Sequence, residues 1–248
     1  MIWLYTQCYN EEYMLPFFLR HYETFVDRMI FYDAHSEDTT QELILAHPKA
    51  ELREPPYPSL VKELDDNLSV EFANQQYKEA RGKADWVIWV DIDEFLHHPD
   101  ILGILDSYRT QGVNLPRIRG YLMIGDAPVA GPGQLTELQP LGLPDRMTCK
   151  PCILNPTLGE INWSTGKHGN HPSLDAAWSD DRTLRLLHYR YFGPKYLAAR
   201  NARQYSRLCK KNKAEFLGAQ VFPNYEGEWD AKWYATYGIE NRTDVVHF

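Results

Sequence analysis

Short apolar runs alternate with amphipathic segments along the first ninety residues of the chain. The apolar runs predict strands at 2–8, 28–33, 50–53 and 86–90. Apolar residues at helical spacing predict helices over 15–25, over 40–46, and from about Val61 or Asn67 to Ala80. Asn10 is a suitable N-cap for the first helix. Strands and helices in alternation are typical of a doubly wound α/β sheet.

The strand at 86–90 consists of five apolar residues, as expected for a strand buried on both faces, and it stops at Asp91, Asp93 and Glu94. If the strand stays extended, Asp91 and Asp93 point to the same side, about 7 Å apart. Two such carboxylates favour a cation between them, and hard oxygen ligands suit Mg²⁺ or Mn²⁺. In open α/β sheets, ligands bind at the edge formed by the carboxyl ends of the strands, and these acids follow the carboxyl end of their strand. The alternative interpretation is a solvated strand-to-helix loop with an aspartate cap.

The second half of the chain has a weaker pattern. Strands are predicted at 117–124 and 184–190 and a helix at 194–212, whereas 130–144 is rich in Gly and Pro and is predicted to be a loop. The segment 185–213 contains nine Lys or Arg residues and no acid. Three interpretations fit this segment: it binds a diphosphate, it docks on anionic lipid head groups, or it is simply a helix face exposed to solvent. The helix carries three arginines along one face: Arg200, Arg203 and Arg207.

Composition narrows the function classes. The 248 residues are 44% hydrophobic and 24% charged, as in a folded globular protein, and the net charge of −8 disfavours nucleic-acid binding. We expect no bilayer-spanning segment and no secretory leader, because no long apolar run and no basic-then-apolar start occurs. Four cysteines are too few for a disulfide framework, and Cys149 and Cys152 are interpreted as ordinary thiols. A reduced cytoplasmic compartment fits best.

The motifs at the predicted strand ends resemble those of family 2-type glycosyltransferases. They are Tyr9-Asn10-Glu11-Glu12 after the first strand, Asp33 with Ser36-Glu37-Asp38-Thr39 after the second, and Asp91-Ile92-Asp93-Glu94-Phe95 after the fourth. The last is similar to the D-x-D-E-F signature of one subgroup. The resemblance covers roughly the first 100 residues with specific motifs and the remainder loosely.

The resemblance implies a GT-A fold, which is a Rossmann-like, mixed and mainly parallel sheet flanked by helices. It implies a nucleotide-sugar site in which Tyr9 and Glu11 lie against the base and ribose, and Asp33 meets the base edge with Ser36 or Asp38 beside it. For Asp33, Ser36 and Asp38 a turn that caps the next helix is the equal alternative. Asp91 is expected to face the ribose or a metal-bound water, and Asp93 is expected to bind a divalent metal, Mn or Mg.

Late residues complete the expected site. The context Leu-Leu-His-Tyr-Arg-Tyr resembles that of a third metal ligand, which would be His188, although a lone His in an apolar run is also typical of a core residue. The loop carrying His168 and His171 is a second possibility. Asp126, after the strand at 117–124, is the candidate for the catalytic base on the acceptor side, and an ordinary turn residue is the alternative interpretation. Glu94 is the second catalytic candidate, which would bind the acceptor or orient Asp93. The aromatic residues of the tail are expected to pack on the body or stack on sugars: Trp229, Trp233, Tyr234 and Tyr237.

These inferences predict a single GT-A-type domain over 1–248, with a nucleotide-sugar-binding half at about 1–98 and an acceptor-binding half at about 115–248. The predicted activity is metal-dependent transfer of a sugar, with inversion, from a UDP- or GDP-sugar to a saccharide or lipid-linked acceptor, as in cell-surface polysaccharide or lipopolysaccharide synthesis. The enzyme would be cytoplasmic, with peripheral contact to the inner face of the membrane through 185–213. The alternatives are a nucleotidyltransferase, which would normally carry a Gly-rich phosphate loop, and a non-catalytic nucleotide- or sugar-binding module.

Overall fold

Two mixed sheets, with helices packed against them, form the body of the protein in this computed structural model. The structure describes residues 1–218, 221–222 and 246–248. The predicted fold class, α/β with a mixed sheet flanked by helices, is confirmed. The tail aromatics named above lie outside the described residues. Within those residues, no helix is long and apolar enough to cross a membrane.

The first sheet has the strand order β3-β2-β1-β4-β8. Neighbouring strands run parallel from β3 to β4, and β8 is antiparallel to β4. The strands are β1 (Ile2–Cys8), β2 (Arg28–Asp33), β3 (Ala50–Arg53), β4 (Trp86–Trp89) and β8 (Ile153–Leu154). The central strands are buried on both faces, because helices or loops cover each side.

The second sheet has the order β10-β7-β6-β9-β5 and was not foreseen. Only β6 and β9 run parallel to each other among its described pairings; the others are antiparallel. Its strands are β5 (Glu94–His97), β6 (Arg119–Gly125), β7 (Leu141–Pro144), β9 (Arg185–Phe192) and β10 (Val246–His247). The expectation of a mainly parallel sheet therefore holds for the first sheet and not for the second.

The helices follow the same order along the chain. They are α1 (Leu15–Tyr22), α2 (Thr40–Leu45), α3 (Pro58–Lys62), α4 (Asp66–Gln76), α5 (Ile101–Thr110), α6 (Leu135–Leu138), α7 (Pro194–Arg207) and α8 (Lys210–Ala214). One 3₁₀ turn extends α4 to Ala80 and another covers Thr165–Lys167.

Apolar side chains form a core on each face of the first sheet. On one face, Leu4 and Phe31 pack with α1 and with side chains of the second sheet such as Leu187, so this core includes both predicted halves of the chain. On the other face, Trp89 stacks on Tyr5 with ring centroids 5.3 Å apart and meets α4 through Phe72. The assignment of one domain to the whole chain stays a prediction.

Three local predictions were wrong. Asn10 does not cap α1; it has a left-handed φ of 53°, and its side chain accepts the backbone N–H of Glu37, while Met14 precedes the helix. The predicted helix at 194–212 breaks at Leu208, which turns extended because Leu64 forms backbone hydrogen bonds with both neighbours of Leu208. The predicted loop at 130–144 contains α6 and β7.

We predict that acid destabilises the fold partly through His21. Desolvation lowers the pKa of His21 to about 4, and its Nε2–H donates to the carbonyl oxygen of Leu96 at 2.8 Å. The unfolded chain binds this proton near pH 6.5, so the free energy of unfolding falls as the pH drops from 6.5 towards 4. Between pH 7 and pH 5 this amounts to about 2 kcal/mol.

Urea unfolding of the wild type and of His21→Gln at both pH values measures the effect. The variant is expected to lose less stability on acidification, because glutamine keeps a donor for Leu96 and does not titrate. His97, whose pKa desolvation also lowers, leaves a residual slope of the same sign. Equal pH slopes in the two proteins would contradict the prediction.

Candidate active site

The acidic stretch connects the two sheets. β4 ends at Trp89, and the chain turns at Asp91, Ile92 and Asp93 before β5 begins at Glu94. Ile92 is buried beneath this turn. The segment is therefore neither an extended strand end nor a strand-to-helix loop, and its carboxylates stand at the carboxyl edge of the parallel strands.

Asp93 is buried and receives two donors on the same oxygen. Arg200 Nη2, from α7, lies 2.8 Å from Asp93 Oδ2, and His188 Nε2, from β9, lies 3.1 Å from it. The β5–β9 pairing places His188 opposite Glu94 and so next to Asp93. Desolvation alone would raise the pKa of Asp93, but the charges of Arg200 and His188 outweigh it, so this pKa lies well below its ordinary value.

Glu11 joins the same ionic group from the loop after β1. Arg200 Nη1 lies 3.5 Å and Arg203 Nη2 3.8 Å from its carboxylate oxygens. Desolvation raises the pKa of Glu11, and the neighbouring charge of Asp93 adds to this, although Arg200 opposes it. Two acids and two arginines, with His188, therefore form one compact group around Asp93.

A second ionic group surrounds Asp91 and Glu94. The Lys150 ammonium contacts the Glu94 carboxylate and lies 3.3 Å from Asp91 Oδ2, while Lys167 Nζ lies 3.2 Å from Asp91 Oδ1. Glu94 is completely buried and also accepts the backbone N–H of Asp91 at 3.1 Å. Burial opposes charge on Lys150, but Glu94 and Asp91 raise its pKa above the usual range. Despite desolvation, Lys167 and Lys150 lower the pKa of Asp91.

The predicted nucleotide-binding residues lie together at the ends of β1 and β2. Arg207 covers the ring of Tyr9, with its guanidinium carbon 3.7 Å from the ring centroid. Asp33 is buried and accepts the backbone N–H of Ser36 at 2.8 Å and Gln41 Nε2 at 2.6 Å.

The remaining contacts there join the two loops. The Ser36 hydroxyl accepts the backbone N–H of Asn10 at 2.8 Å, and the Asp38 carboxylate accepts those of Glu12 and Thr40. Asp33, Ser36 and Asp38 thus hold two loops together, which is what their alternative interpretation as turn residues describes; their role in nucleotide binding stays a prediction.

Asp126 is exposed and follows β6. Leu122 pairs with His188, so Asp126 lies four residues, or about 13 Å, further along the strand direction. Its carbonyl oxygen would be 2.1 Å from a Cβ at Gly193, which has a φ of 84°, so the turn into α7 requires glycine. Asp126 is thereby fixed beside the start of α7, some distance from the acids.

The two loop histidines are held by backbone groups of other residues in the loops. His168 Nδ1 is 2.8 Å from the Met147 carbonyl oxygen, and desolvation lowers its pKa. His171 takes part in the loop through a backbone hydrogen bond to Asn162. His168 lies near enough to Asp91 and Glu94 for their charges to act on its pKa. Within residues 1–218, neither histidine forms a hydrogen bond or an ion pair with Asp93.

The structure divides the basic segment 185–213 into two parts. Arg200 is buried on Asp93, Arg203 reaches Glu11, and Arg207 lies on Tyr9 while donating to the Val61 carbonyl oxygen at 3.0 Å. Lys210 and Lys211, on α8, are exposed. The three arginines of α7 are therefore engaged within the protein, and the exposed cations left for contact with a lipid surface are Lys195 and the lysines of α8.

The side chains present fit a divalent cation that has two protein ligands. Asp93 Oδ2 and His188 Nε2 lie 3.1 Å apart. The carboxylate is a suitable ligand for Mn²⁺ or Mg²⁺, and the imidazole is a ligand for a transition metal such as Mn²⁺ and not a usual one for Mg²⁺. Arg200, which contacts the same oxygen, would have to move off it when the ion binds. Asp91 is the other predicted ligand, but each of its carboxylate oxygens lies near a lysine ammonium group. The described part of the chain contains no group of three His, Cys, Asp or Glu residues able to hold a metal. Such an ion suits a site in which substrate phosphates supply the remaining oxygens.

Comparison with known proteins leaves the family open. No protein-family model and no curated protein matches the chain. It is similar to the crystal structure of S. aureus TarS 1–349 in complex with UDP-GlcNAc, at 11% identity and a TM-score of 0.40, over 98% of this chain and 76% of that one.

It is also similar to glucosyl-3-phosphoglycerate synthase from Mycobacterium tuberculosis in complex with Mn²⁺, UDP and glucosyl-3-phosphoglycerate, at 19% identity and a TM-score of 0.34, over 49% of this chain and 44% of that one. At such identities and TM-scores, neither likeness decides an activity, a metal or a substrate.

Sequence reasoning missed the two lysines that pair with Asp91. Lys150 lies between the two cysteines of Cys149-Lys150-Pro151-Cys152, a pattern in which the thiols are the more conspicuous residues. All four cysteines of the chain are free in the structure. A buried lysine has no periodic or motif signal of its own. The excess of acids at 91–94 was the one available indication that cations from elsewhere in the chain must approach.

We predict that Lys150 and Glu94 depend on each other for stability. Lys150→Met leaves the Glu94 carboxylate buried without its counter-charge, which costs about 3–5 kcal/mol of unfolding free energy. Lys150→Met combined with Glu94→Gln is expected to recover most of this loss, because no isolated charge remains.

Urea unfolding of the single and double variants provides the measurement. Lys83→Met, at an exposed lysine, is the matched control and should lower the unfolding free energy by no more than about 1 kcal/mol, which is the worth of its cation–π contact with Trp3. Additive losses in the double variant would show that the pair is not coupled.

Proposed function

We propose that the protein is a metal-dependent glycosyltransferase of the GT-A type that moves a sugar from a UDP- or GDP-sugar to an acceptor hydroxyl, with inversion. The observation that carries the proposal is the meeting of Asp93, His188 and Arg200 at the carboxyl edge of the parallel sheet. A carboxylate, an imidazole and a guanidinium in contact there suit a metal-bound diphosphate better than a neutral ligand. The sequence motifs that resemble family 2-type enzymes lie around the same edge.

Each side chain has a part in this proposal. Asp93 and His188 would hold the divalent ion, which when bound supplies Lewis-acid stabilisation of the charge that grows on the leaving diphosphate. Arg200 and Arg203 supply fixed positive charge next to the same position. Tyr9 offers a ring face for the base, with Arg207 moving aside or stacking on the other side of the base.

We assign the catalytic base on the acceptor side by comparing the solvent exposure of the two candidates, Glu94 and Asp126. Glu94 is completely buried and paired with Lys150, so we propose that it orients the acidic turn and does not remove the proton. Asp126 is exposed and can accept a proton from an acceptor hydroxyl. Asp126 lies about 13 Å along the strand direction from the paired residues Leu122 and His188. This separation leaves room for the transferred sugar and the acceptor between Asp126 and His188.

The saccharide or lipid-linked acceptor, a role in cell-surface polysaccharide or lipopolysaccharide synthesis, and a cytoplasmic location remain part of the proposal. Peripheral contact with a membrane would involve Lys195 and the exposed α8 lysines, because the α7 arginines are engaged within the protein. The division into a donor half and an acceptor half is part of the same proposal, with Asp126, which follows β6, on the acceptor side.

We predict that Asp93→Asn abolishes turnover. With a panel of UDP- and GDP-sugars and Mn²⁺, the wild type should release UDP or GDP, and the variant should be slower by about 10²-fold or more because a main metal ligand is lost. Chromatographic measurement of released nucleotide provides the test. Asp106→Asn, at an exposed aspartate on α5 that pairs with Arg109, is the matched control and should be fully active.

The products distinguish the alternatives. Nucleoside diphosphate release identifies a glycosyltransferase, whereas release of pyrophosphate from a nucleoside triphosphate and a sugar phosphate would identify a nucleotidyltransferase. Binding without turnover of any donor would indicate a binding module. Asp93→Asn with wild-type turnover would contradict the proposed site.

A further inference from the structure

Two lysines lie beneath a carboxylate that is itself open to solvent. The side chain of Asp91 is 43% exposed, whereas those of Lys150 and Lys167 are only 6% and 11% exposed. Their ammonium groups lie 3.3 Å and 3.2 Å from its two oxygens. An exposed aspartate needs no such neutralisation, because water solvates its charge. The paired ammonium groups therefore call for another explanation.

The two lysines are held differently. Lys150 is fixed by Glu94, which is completely buried. For Lys167, the one ion pair within residues 1–218 is with Asp91. Removing Asp91 from Lys167 would therefore leave an ammonium group that can pair with a ligand, while Lys150 would stay in place.

The backbone at Lys167 is strained. Gly166 and Lys167 have φ values of 70° and 59°, so two successive residues are left-handed, and only the first is glycine. A left-handed backbone is unfavourable for a residue that has a Cβ. From this turn the Lys167 side chain reaches Asp91 and is only 11% exposed. Strain of this kind is concentrated at ligand-binding sites.

We propose that the pair of Lys150 and Lys167 is a diphosphate site, in which Lys167 exchanges the Asp91 carboxylate for a phosphate oxygen when a nucleoside diphosphate binds, while Lys150 stays on Glu94. The inference rests on the proposed function and names Lys167 as a further residue that would touch the substrate. A diphosphate carries more charge than one carboxylate, and lysine is a common point-charge ligand of phosphate. The exchange leaves Asp91 free to accept a ribose hydroxyl.

Charge balance favours the exchange. Asp91 and Glu94 match the charges of Lys150 and Lys167. Asp66 is a further carboxyl close enough for Lys167 to act on it, and desolvation raises its pKa and so opposes a third negative charge here. An arriving diphosphate gains the Lys167 charge, and Asp91 regains hydrogen bonds from the ribose or from water at its exposed face. No covalent bond changes in this step.

Titration calorimetry with inorganic pyrophosphate and with UDP and GDP, each with Mg²⁺, tests the proposal. Lys167→Met is expected to weaken pyrophosphate and nucleotide binding about 10-fold and to lower kcat about 10²-fold, while Lys167→Arg recovers part of both. Lys83→Met is the matched control and should bind and turn over like the wild type. Thermal unfolding of each variant verifies that it is folded.

The outcomes separate this inference from the proposed function. If the wild type binds UDP or GDP and Lys167→Met binds nucleotide and pyrophosphate equally well, the lysine pair is not a diphosphate site, and the proposed function survives. If the wild type binds no nucleotide and no pyrophosphate, both proposals are wrong. Weaker binding in Lys167→Met but not in Lys83→Met supports the pair.

Discussion

The buried ion pair of Lys150 and Glu94 is the interaction on which the site depends. Glu94 begins β5 in the second sheet, and Lys150 stands just before β8 in the first, so their contact joins the sheets where the chain passes between them. A completely buried carboxylate is tolerated only with a counter-charge and hydrogen bonds. Glu94 has both, because it also receives the N–H of Asp91. The conformation of the acidic turn follows from these contacts.

The turn then presents its two aspartates to two different groups of cations. Asp91 meets lysines from the connections around β8, and Asp93 meets His188 and Arg200 from β9 and α7. All four cationic groups come from the second half of the chain, and the acids come from the first. The site therefore forms only when both halves are folded against each other, and its charges are balanced before a ligand arrives.

Local pattern was enough to predict the four parallel strands of the first sheet, although not β8. The bounds of Ile2–Cys8 and Arg28–Asp33 agree with the sequence interpretation because these buried strands are largely apolar. Ala50–Arg53 also agrees, and as an edge strand it alternates apolar and charged residues. The position of the acids at the strand edge also followed from this pattern. β5 was missed because it begins with a charged residue, Glu94, whose burial depends on Lys150.

Contacts between distant residues could not be predicted in this way. Lys150 is separated from Asp91 by 59 positions, and no spacing rule links them. The break between α7 and α8 depends on Leu64, which belongs to a different part of the chain and pairs with Leu208. His188 was found only through the resemblance of its context, and the β5–β9 register then placed it beside Asp93.

We infer that Asp93 and His188 together hold a divalent cation that also contacts the nucleotide. Electron spin-echo spectroscopy of Mn²⁺ bound with UDP or GDP to protein containing ¹⁵N-labelled histidine measures this ligation directly. The account predicts a ¹⁵N coupling to Mn²⁺ that is present in the wild type and absent in His188→Gln, together with a ³¹P coupling from the nucleotide. Mn²⁺ with a phosphorus coupling but no histidine coupling in the wild type would contradict it.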